Sequence, residues 1–398
     1  MNLEKLRKDF PILDKDIIYF DNACMTLKPV QVIDALNRYY REFPGCAGRS
    51  PHRIGKQVDE EVTKSRTTLR KSFNAKKDEE IIFTKNTTEG LNIVASSLDL
   101  KPGDVVLSTD KEHNSNLLPL QRLRQKGVIH KVIDSTEDNQ FSMKNFEDQM
   151  SKKIKFVSMV HTSNLDGTTI PAKEIIKIAH DNGALVMLDG AQSAPHKSID
   201  LKKLDVDFFA CSGHKMCGPT GIGMLYGKYD LMDNLPPYIV GGETVYDSTY
   251  TTADFEHPPH KFEPGLQHYA GIIGFAEASR YLDKIGKDNI VKHEQVLNQK
   301  LSEGLLALSP KFTILGPKNP VLRSGIVNFT YGDADPHQIA IMLDASAKIC
   351  IRSGAHCVHS WFNKHHLKGS ARASMYFYNT ENEVDVFLEQ IKKVVSIL

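Results

Sequence analysis

Short apolar runs alternate with helical patterns through the first half of this 398-residue chain. The runs lie at Ile81–Thr84, Val105–Ser108, Lys155–Val160, Leu185–Leu188, Val206–Cys211 and Ile222–Tyr226. The segments between them carry helix signals, such as the capping box Asn86-Thr-Thr-Glu89 before one helix and Asn182-Gly183 at the end of another. Because strand-length runs are separated by helices, the sequence predicts an α/β fold, with a mostly parallel sheet covered by helices on both faces.

The rest of the chain departs from this alternation. Residues 238–265 are rich in Thr, Tyr, Asp, Pro and His without periodicity, which predicts a long excursion over the surface or onto a partner subunit. One long helix is expected over residues 270–302, and the strands and helices mixed after it are typical of a smaller α+β domain. We therefore predict a large domain over residues 25–290, and a small domain formed by residues 291–398 together with residues 1–24.

The charge balance argues against nucleic-acid and membrane partners. Lysine and arginine number 50 against 49 aspartates and glutamates, and no apolar run approaches the ~20 residues of a membrane span. The first residues lack the apolar core of a secretion signal, and six cysteines in a chain of this length do not indicate a disulfide framework. A cytoplasmic protein with free thiols is the expectation.

Two polar residues stand at the ends of neighbouring predicted strands. Asp189 ends one run, and Lys215 follows the next through Ser212-Gly-His, at the edge where open α/β sheets bind ligands. A desolvated lysine can attack a carbonyl, and an aspartate can keep a pyridinium nitrogen protonated. The pair therefore suits pyridoxal 5'-phosphate (PLP). On its own, Lys215 also fits an ordinary surface lysine.

A cofactor phosphate needs hydrogen-bond donors, which hydroxyls and free backbone N–H groups at a helix start supply. Thr87 and Thr88 open the helix that follows the capping box, and Ser212 and His214 flank the turn before Lys215. These four residues are the predicted phosphate ligands. An ordinary helix N-cap is the alternative for the two threonines.

Three further side chains follow predicted strands at the same edge of the sheet. His113 is placed to stack on a pyridine ring and to move protons near neutral pH, although a histidine in a loop is commonly just exposed. Asn164 and Gln192 lie at equivalent strand ends. Both are candidates to hydrogen-bond the oxygen of the ring.

The last part of the chain supplies a candidate nucleophile. Cys357 follows a glycine-bearing loop and lies near Arg352 and His356 in the sequence, and nearby cations favour the nucleophilic thiolate. Arg372 offers a planar fork for a substrate carboxylate, with a surface ion pair as its alternative. Cys350 lies in an apolar stretch, so we expect it in the core.

A metal site is the alternative explanation for the histidines around this cysteine. Cys357, His359, His365 and His366 are all residue types that bind metals. Their spacing fits no standard zinc pattern. Because a catalytic cysteine explains more of the local sequence, no metal is predicted.

Taken together, these motifs resemble those of the class V aminotransferase-like, fold-type I PLP enzymes over nearly the whole chain. Within that group the sequence is most similar to the Suf-type cysteine desulfurases and the selenocysteine lyases. The motifs that carry the resemblance are Asn86-Thr-Thr-Glu-Gly90, Glu112-His113, Ser163-Asn164, Asp189-Gly-Ala-Gln192, Ser212-Gly-His-Lys215, Phe262-Glu263 with Gly265, and Arg352-Ser-Gly-Ala-His-Cys357.

The resemblance implies a role for each candidate residue. Lys215 forms the Schiff base with PLP, Asp189 pairs with the pyridine nitrogen, and Cys357 carries a persulfide. The other implied roles are ring stacking and catalysis for His113, ring-hydroxyl contact for Gln192, phosphate binding for Thr87, Thr88, Ser212 and His214, and substrate binding for Arg372, Arg352 and Asn164.

The implied reaction converts L-cysteine to L-alanine, with the sulfur passed from Cys357 to a protein acceptor. The pathway served is iron–sulfur cluster assembly, tRNA thiolation or another use of sulfur. Selenocysteine lysis, transamination and kynureninase-like hydrolysis are alternatives on the same cofactor. A non-catalytic scaffold that kept the fold is the alternative from another class. The family also implies a homodimer with its active sites at the interface.

Two positions depart from the family pattern. Leu266 stands where relatives have a threonine that reaches the phosphate in the other subunit, so that contact is lost or passes to Gln267 or His268. Cys24 lies in a loop that approaches the substrate in relatives. It either packs there or changes what the pocket accepts.

Overall fold

The computed structural model describes residues 2–398 and contains two main sheets flanked by helices. The strands are β1 Ile18–Tyr19, β2 Ile81–Thr84, β3 Val105–Thr109, β4 Ile129–Ile133, β5 Ile154–Val160, β6 Leu185–Asp189, β7 Phe208–Ser212, β8 Gly223–Gly227, β9 Val245–Ser248, β10 Ala253–Phe255, β11 Phe312–Leu315, β12 Ile326–Tyr331, β13 Ile349–Cys350, β14 Arg352–Gly354 and β15 Ser370–Ser374. The α-helices are α1 Leu3–Arg7, α2 Val30–Glu42, α3 Arg53–Ser72, α4 Thr87–Ser97, α5 Asn114–Arg122, α6 Met143–Gln149, α7 Ala172–Asp181, α8 Ser193–His196, α9 Leu201–Leu204, α10 Tyr229–Asn234, α11 Tyr269–Ile285, α12 Lys287–Leu308, α13 Pro336–Ala347, α14 His359–Lys364 and α15 Glu381–Val395.

The large sheet has seven strands in the order β2-β8-β7-β6-β5-β3-β4. Strand β8 runs antiparallel to both of its neighbours, and all other pairs are parallel. Every residue of β2, β3, β7 and β8 is buried, including those of the edge strand β2, as expected for a sheet whose two faces are covered by helices. The predicted α/β fold with a mostly parallel sheet is confirmed.

The last third of the chain builds the smaller sheet, whose antiparallel order is β11-β12-β15-β14. An apolar core that includes Phe20, Leu301, Phe329 and Phe387 packs beside it. Phe10 instead packs in the core of the large sheet, so the N-terminal segment contacts both cores. The domain boundaries given above stay a prediction.

Two local expectations were wrong. The single helix expected over residues 270–302 is two helices, α11 and α12. Gly286 between them has a φ of +85°, which glycine adopts readily and other residues do not. Cys350 is partly exposed rather than in the core, because its two-residue strand β13 pairs only with the equally short β1.

The excursion over residues 238–265 contains the exposed hairpin β9–β10 and is anchored at its C-terminal end. Glu263 and Arg66 form a buried bidentate ion pair, with N–O distances of 2.7 and 2.8 Å. The backbone N–H of Phe83 donates to the same carboxylate at 2.7 Å. This contact joins the excursion to α3 and to the edge strand β2.

Among residues 2–398, no helix has the length and apolar character needed to cross a bilayer.

Candidate active site

One cleft brings together every site residue predicted from the sequence. It has a volume of about 250 Å³ and lies where several of the parallel strands end. The predicted residues that line it are Thr87, Thr88, His113, Asn164, Asp189, Gln192, Ser212, His214, Lys215, Arg352, Cys357 and Arg372. The sequence reasoning missed Ser115 and Thr162, which line it too. Ser115 had a usable signal, because it stands two residues after His113 at a helix start.

Asp189 and Lys215 reach the cleft from the adjacent parallel strands β6 and β7. The Asp189 side chain is buried, and the backbone N–H of Ala191 donates to its Oδ1 at 2.9 Å. Burial raises the pKa of Asp189, while the Ala191 N–H and the Lys215 charge oppose that rise. Burial lowers the pKa of Lys215, against the pull of Asp189. The lysine amine is therefore more available in its neutral, nucleophilic form than a surface lysine.

Hydroxyl groups gather at the first turns of α4 and α5. Asn86 caps α4 by accepting the Glu89 N–H at 3.0 Å. The Thr87 hydroxyl lies 2.6 Å from that of Ser212, and the Thr88 hydroxyl lies 2.7 Å from that of Ser115. Helix N-termini with free donors favour anions. This end of the cleft is thus suited to a phosphate.

Two histidines in the cleft are held neutral. Burial, with Lys215 next in importance, lowers the pKa of His113 to about 3 and that of His214 to about 4. His113 also caps α5, since its Nδ1 accepts the Ser115 N–H at 3.1 Å. The neutral ring therefore carries its proton on Nε2.

Glu112 fixes the loop that carries His113. Its buried carboxylate accepts the Thr109 N–H and hydroxyl at 3.0 and 2.6 Å, the Val160 N–H at 3.0 Å, and the Asn116 amide at 2.8 Å. Burial nevertheless raises the pKa of Glu112 to about 7. These contacts tie the His113 loop to the ends of β3 and β5.

Four of the buried side chains that line the cleft have a polar atom without a hydrogen-bond partner. These atoms are Oδ1 of Asn164, Oε1 of Gln192, Nε of Arg372 and Nδ1 of His356. Their other polar atoms are held by the protein: Gln192 Nε2 donates to the Ala23 carbonyl at 2.6 Å, and Arg372 Nη1 donates to the Asn164 carbonyl at 2.9 Å. Since buried polar atoms are rarely left unpaired, this pattern fits a polar ligand with both donors and acceptors.

The cysteine loop lines the cleft in a constrained conformation. His356 and Cys357 have φ angles of +49° and +59°, in the left-handed region that non-glycine residues seldom occupy. The Cys357 carbonyl accepts the Asn114 N–H at 2.8 Å, and His356 Nε2 lies 2.9 Å from the Ser370 hydroxyl. Such outliers persist where the surroundings over-determine them. The Cys357 thiol remains partly exposed.

The histidines after Cys357 do not converge on it. The ring of His365 stacks on Trp361 at a centroid distance of 4.1 Å, and His359 Nδ1 lies 3.0 Å from the Asn114 amide. In the described part of the chain, no three His, Cys, Asp or Glu side chains are grouped as metal ligands.

Comparison with known proteins identifies the family behind this geometry. The family model described as aminotransferase class V matches residues 18–387. The chain belongs to the class V aminotransferase family. The resemblance seen in the sequence motifs is thereby confirmed.

Within the class V family, several full-length relatives are similar to this chain. It is 39% identical to a probable cysteine desulfurase of Halalkalibacterium halodurans, over 99% of this chain and 98% of that protein. The apo cysteine desulfurase of Thermococcus onnurineus NA1 superposes with a TM-score of 0.95 at 36% identity, covering 99% of this chain and 98% of that one. The cysteine desulfurase CsdA of Escherichia coli gives 0.92 at 28% identity, covering 100% and 99%.

Proposed function

We propose that this chain is a PLP-dependent cysteine desulfurase, which converts L-cysteine to L-alanine and keeps the sulfur as a persulfide on Cys357. The observation that carries the proposal is the convergence of Lys215, Asp189 and Cys357 on one cleft. A transaminase would need the first two residues and not the thiol. Full-length similarity to proteins named cysteine desulfurase supports the same conclusion.

The donor set of the cleft fits PLP. Lys215 would hold the aldehyde carbon, Asp189 the pyridine nitrogen, and the unpaired oxygen of Gln192 the ring hydroxyl. When bound, PLP supplies an electron sink for the substrate's α-carbon. The phosphate would lie among Thr87, Thr88, Ser115, Ser212 and His214.

Charged side chains position the substrate. Arg372 is buried with a free Nε donor, and its guanidinium suits the α-carboxylate of an amino acid. Arg352 lies in the next strand, directly opposite Arg372 in the β14–β15 pairing. Asn164 holds Arg372 through its carbonyl oxygen. The three residues together favour an amino-acid substrate whose carboxylate faces the small sheet.

Proton transfer falls to Lys215, while His113 would cover the cofactor. The depressed pKa of Lys215 lets its neutral amine take a proton from the α-carbon and return one later. His113 stays neutral because burial and Lys215 hold its pKa at about 3, so its ring can cover the cofactor without adding a positive charge.

Sulfur transfer falls to Cys357. Its thiolate attacks the substrate sulfur, so a bond forms between Cys357 Sγ and that sulfur while the substrate's Cβ–S bond breaks. The electron pair of the broken bond goes to the carbon fragment, which takes up protons and leaves as L-alanine. Asn164 and Asn114 hold the loop backbone on either side of the thiol.

The experiment compares PLP-loaded wild type with Cys357→Ser, measuring L-alanine formed from L-cysteine and persulfide on each cysteine by mass spectrometry. The wild type should form alanine and a Cys357 persulfide, and Cys357→Ser should retain PLP but form neither. Cys350→Ser is the matched control, because Cys350 is also partly exposed but lies outside the cleft. Undiminished alanine formation by Cys357→Ser would refute the proposal.

The proposal also includes the oligomeric state of the protein. Several exposed apolar side chains lie on the excursion and just beyond it, at Tyr238, Val240, Tyr246, Tyr250 and Leu266. Such a surface favours association, and we assign it to a homodimer. Light scattering should give the mass of two chains, and Tyr250→Asp should shift the mass toward one.

A protein acceptor would then take the sulfur from Cys357, with iron–sulfur cluster assembly as the proposed pathway. All six cysteines are free in the structure, which supports a reducing compartment such as the cytoplasm. Sulfur transfer from the charged enzyme to a purified cluster-scaffold protein, followed by mass spectrometry, tests the acceptor.

A further inference from the structure

A second thiol lines the cleft and has no part in the reaction described so far. Cys24, in the turn after β1, lines the same cleft as Cys357, and both are partly exposed. The other four cysteines lie outside it, namely Cys46, Cys211, Cys217 and Cys350. Cys24 is therefore the one other thiol placed to meet the sulfur that Cys357 carries.

An arginine side chain contacts the sulfur atom of Cys24. Arg352 donates from Nη1 to Cys24 Sγ at 3.0 Å. The guanidinium of Arg372 lines the same cleft. Cations that contact a sulfur atom stabilise the thiolate, which is the form that attacks sulfur.

The turn that carries Cys24 is fixed in place. The Cys24 N–H donates to the Asp21 carbonyl at 3.1 Å, and the Ala23 N–H donates to the Ser374 hydroxyl at 2.9 Å. Gln192 holds the Ala23 carbonyl from the other side. The cysteine is thus part of the cleft wall rather than of a loose loop.

A buried hydrogen-bond donor without a protein partner lines the same cleft as Cys24 and points to a polar ligand there. Arg372 is 2% exposed, and its Nε has no partner, yet it lines the same cleft. Arg352, which holds the Cys24 sulfur, begins the strand that leads into the Cys357 loop. Arg352 and Arg372 thus line one cleft together with both cysteines.

We propose that Cys24 is a second sulfur carrier, which takes the outer sulfur from the Cys357 persulfide. This inference rests on the proposed desulfurase function. The Cys24 thiolate attacks the outer sulfur of the neutral Cys357 hydropersulfide. A new S–S bond forms at Cys24, and the old one breaks with its electron pair on Cys357 Sγ, which leaves as a thiolate. The outer sulfur keeps its proton, and no oxidant or reductant is consumed.

The test follows sulfur from L-cysteine that carries a heavy sulfur isotope. PLP-loaded enzyme is mixed with this substrate, quenched with an alkylating reagent at successive times and digested for mass spectrometry. The labelled persulfide should be found first on Cys357 and then on Cys24. Labelling of Cys24 should exceed that of the partly exposed Cys46 and Cys350 by about tenfold, because only Cys24 has the cationic cleft.

Variants separate a relay from incidental exchange. In Cys24→Ser, the labelled fraction of Cys357 should rise, because the outer sulfur of its persulfide can no longer be transferred to Cys24. In Cys357→Ser, Cys24 should carry no label. The ratio of label on Cys24 to label on Cys357 should fall in Arg352→Gln and recover in Arg352→Lys, which keeps a cation beside the sulfur.

Each of the other possible outcomes would refute either the sulfur relay or the desulfurase function. Alanine and a Cys357 persulfide without label on Cys24 would refute the relay and leave the desulfurase function standing. Label on Cys24 in Cys357→Ser, or label on Cys350 equal to that on Cys24, would also refute it. Absence of both alanine and a Cys357 persulfide from the wild type would refute the desulfurase function and the relay with it.

Discussion

The side-chain amide of Asn164 donates from Nδ2 to the carbonyl oxygen of His356 at 2.8 Å. His356 immediately precedes Cys357, so this bond holds the backbone of the cysteine loop. The carbonyl of Asn164 also accepts the Arg372 guanidinium at 2.9 Å. One residue in the loop after β5 thus couples the position of the candidate nucleophile to that of the candidate carboxylate-binding group.

Replacing Asn164 with Ala should loosen the cysteine loop. The His356 carbonyl loses its partner, and an unpaired buried group of this kind costs about 1–3 kcal/mol. We expect alanine formation to slow by about tenfold, which corresponds to about 1.4 kcal/mol, and alkylation of Cys357 to speed up. Asn289→Ala is the control, because Asn289 makes the same kind of bond on an exposed helix. Equal alkylation rates in both variants would contradict the coupling.

Lys215 should be the lysine that PLP modifies. Borohydride reduction of the PLP-loaded enzyme, followed by peptide mass spectrometry, should place the added mass on Lys215. Lys287 is an internal control, since burial lowers its pKa to about 8, but its Nζ is engaged by the Ala194 and Pro195 carbonyls in a different cleft. Modification of Lys287 to the same extent would show that a low pKa alone, and not the cleft, selects the lysine.

Acid should destabilise the fold through a histidine behind the site. His161 is buried beside the Ser193 hydroxyl, and burial lowers its pKa to about 3 from 6.5. Between these values the unfolded chain binds the extra proton, so the free energy of unfolding falls as the pH drops below about 6.5. From pH 7 to pH 5, wild type should lose about 2 kcal/mol more than His161→Asn in urea unfolding. Equal losses would mean that His161 is protonated in the folded state.

The residues proposed from the sequence line one cleft because the signals that single them out are local. Asp189, Lys215 and His113 each follow a strand-length run, and parallel strands bring their ends to one edge whatever the details of packing. The capping box before α4 marked Thr87 and Thr88 in the same way. A residue whose position is set by the end of a strand can therefore be predicted from one short stretch of the sequence.

Features that depend on distant contacts were less accessible. The contact between Cys24 and Arg352 joins residues that are 328 positions apart in the sequence, and no sequence pattern near Cys24 predicts it. Cys350 looked like a core residue because its neighbours are apolar, but its strand lies at the rim and pairs only with β1. The contacts and the exposure of these residues depend on which strands and loops pack together in the fold. The periodicity of the local sequence does not contain that information.

The last prediction concerns the anchor of the excursion that follows residue 238. Glu263 and Arg66 are 5% and 7% exposed, and the Arg66 guanidinium also lies 4.4 Å from the centre of the Phe83 ring. Glu263→Gln leaves the arginine charge buried without a counter-ion, which costs about 3–5 kcal/mol. Urea unfolding should show this loss.

Glu277→Gln is the matched control for that measurement. Its partner Arg280 is 2.7 Å away, but the pair is solvent-exposed, and such pairs contribute only about 0–1 kcal/mol. Replacing both Glu263 and Arg66 by apolar residues of similar size should recover most of the stability, because the unpaired charge is then gone. A double variant as unstable as Glu263→Gln would mean that the excursion is held by the hydrogen bond to Phe83 and not by charge pairing.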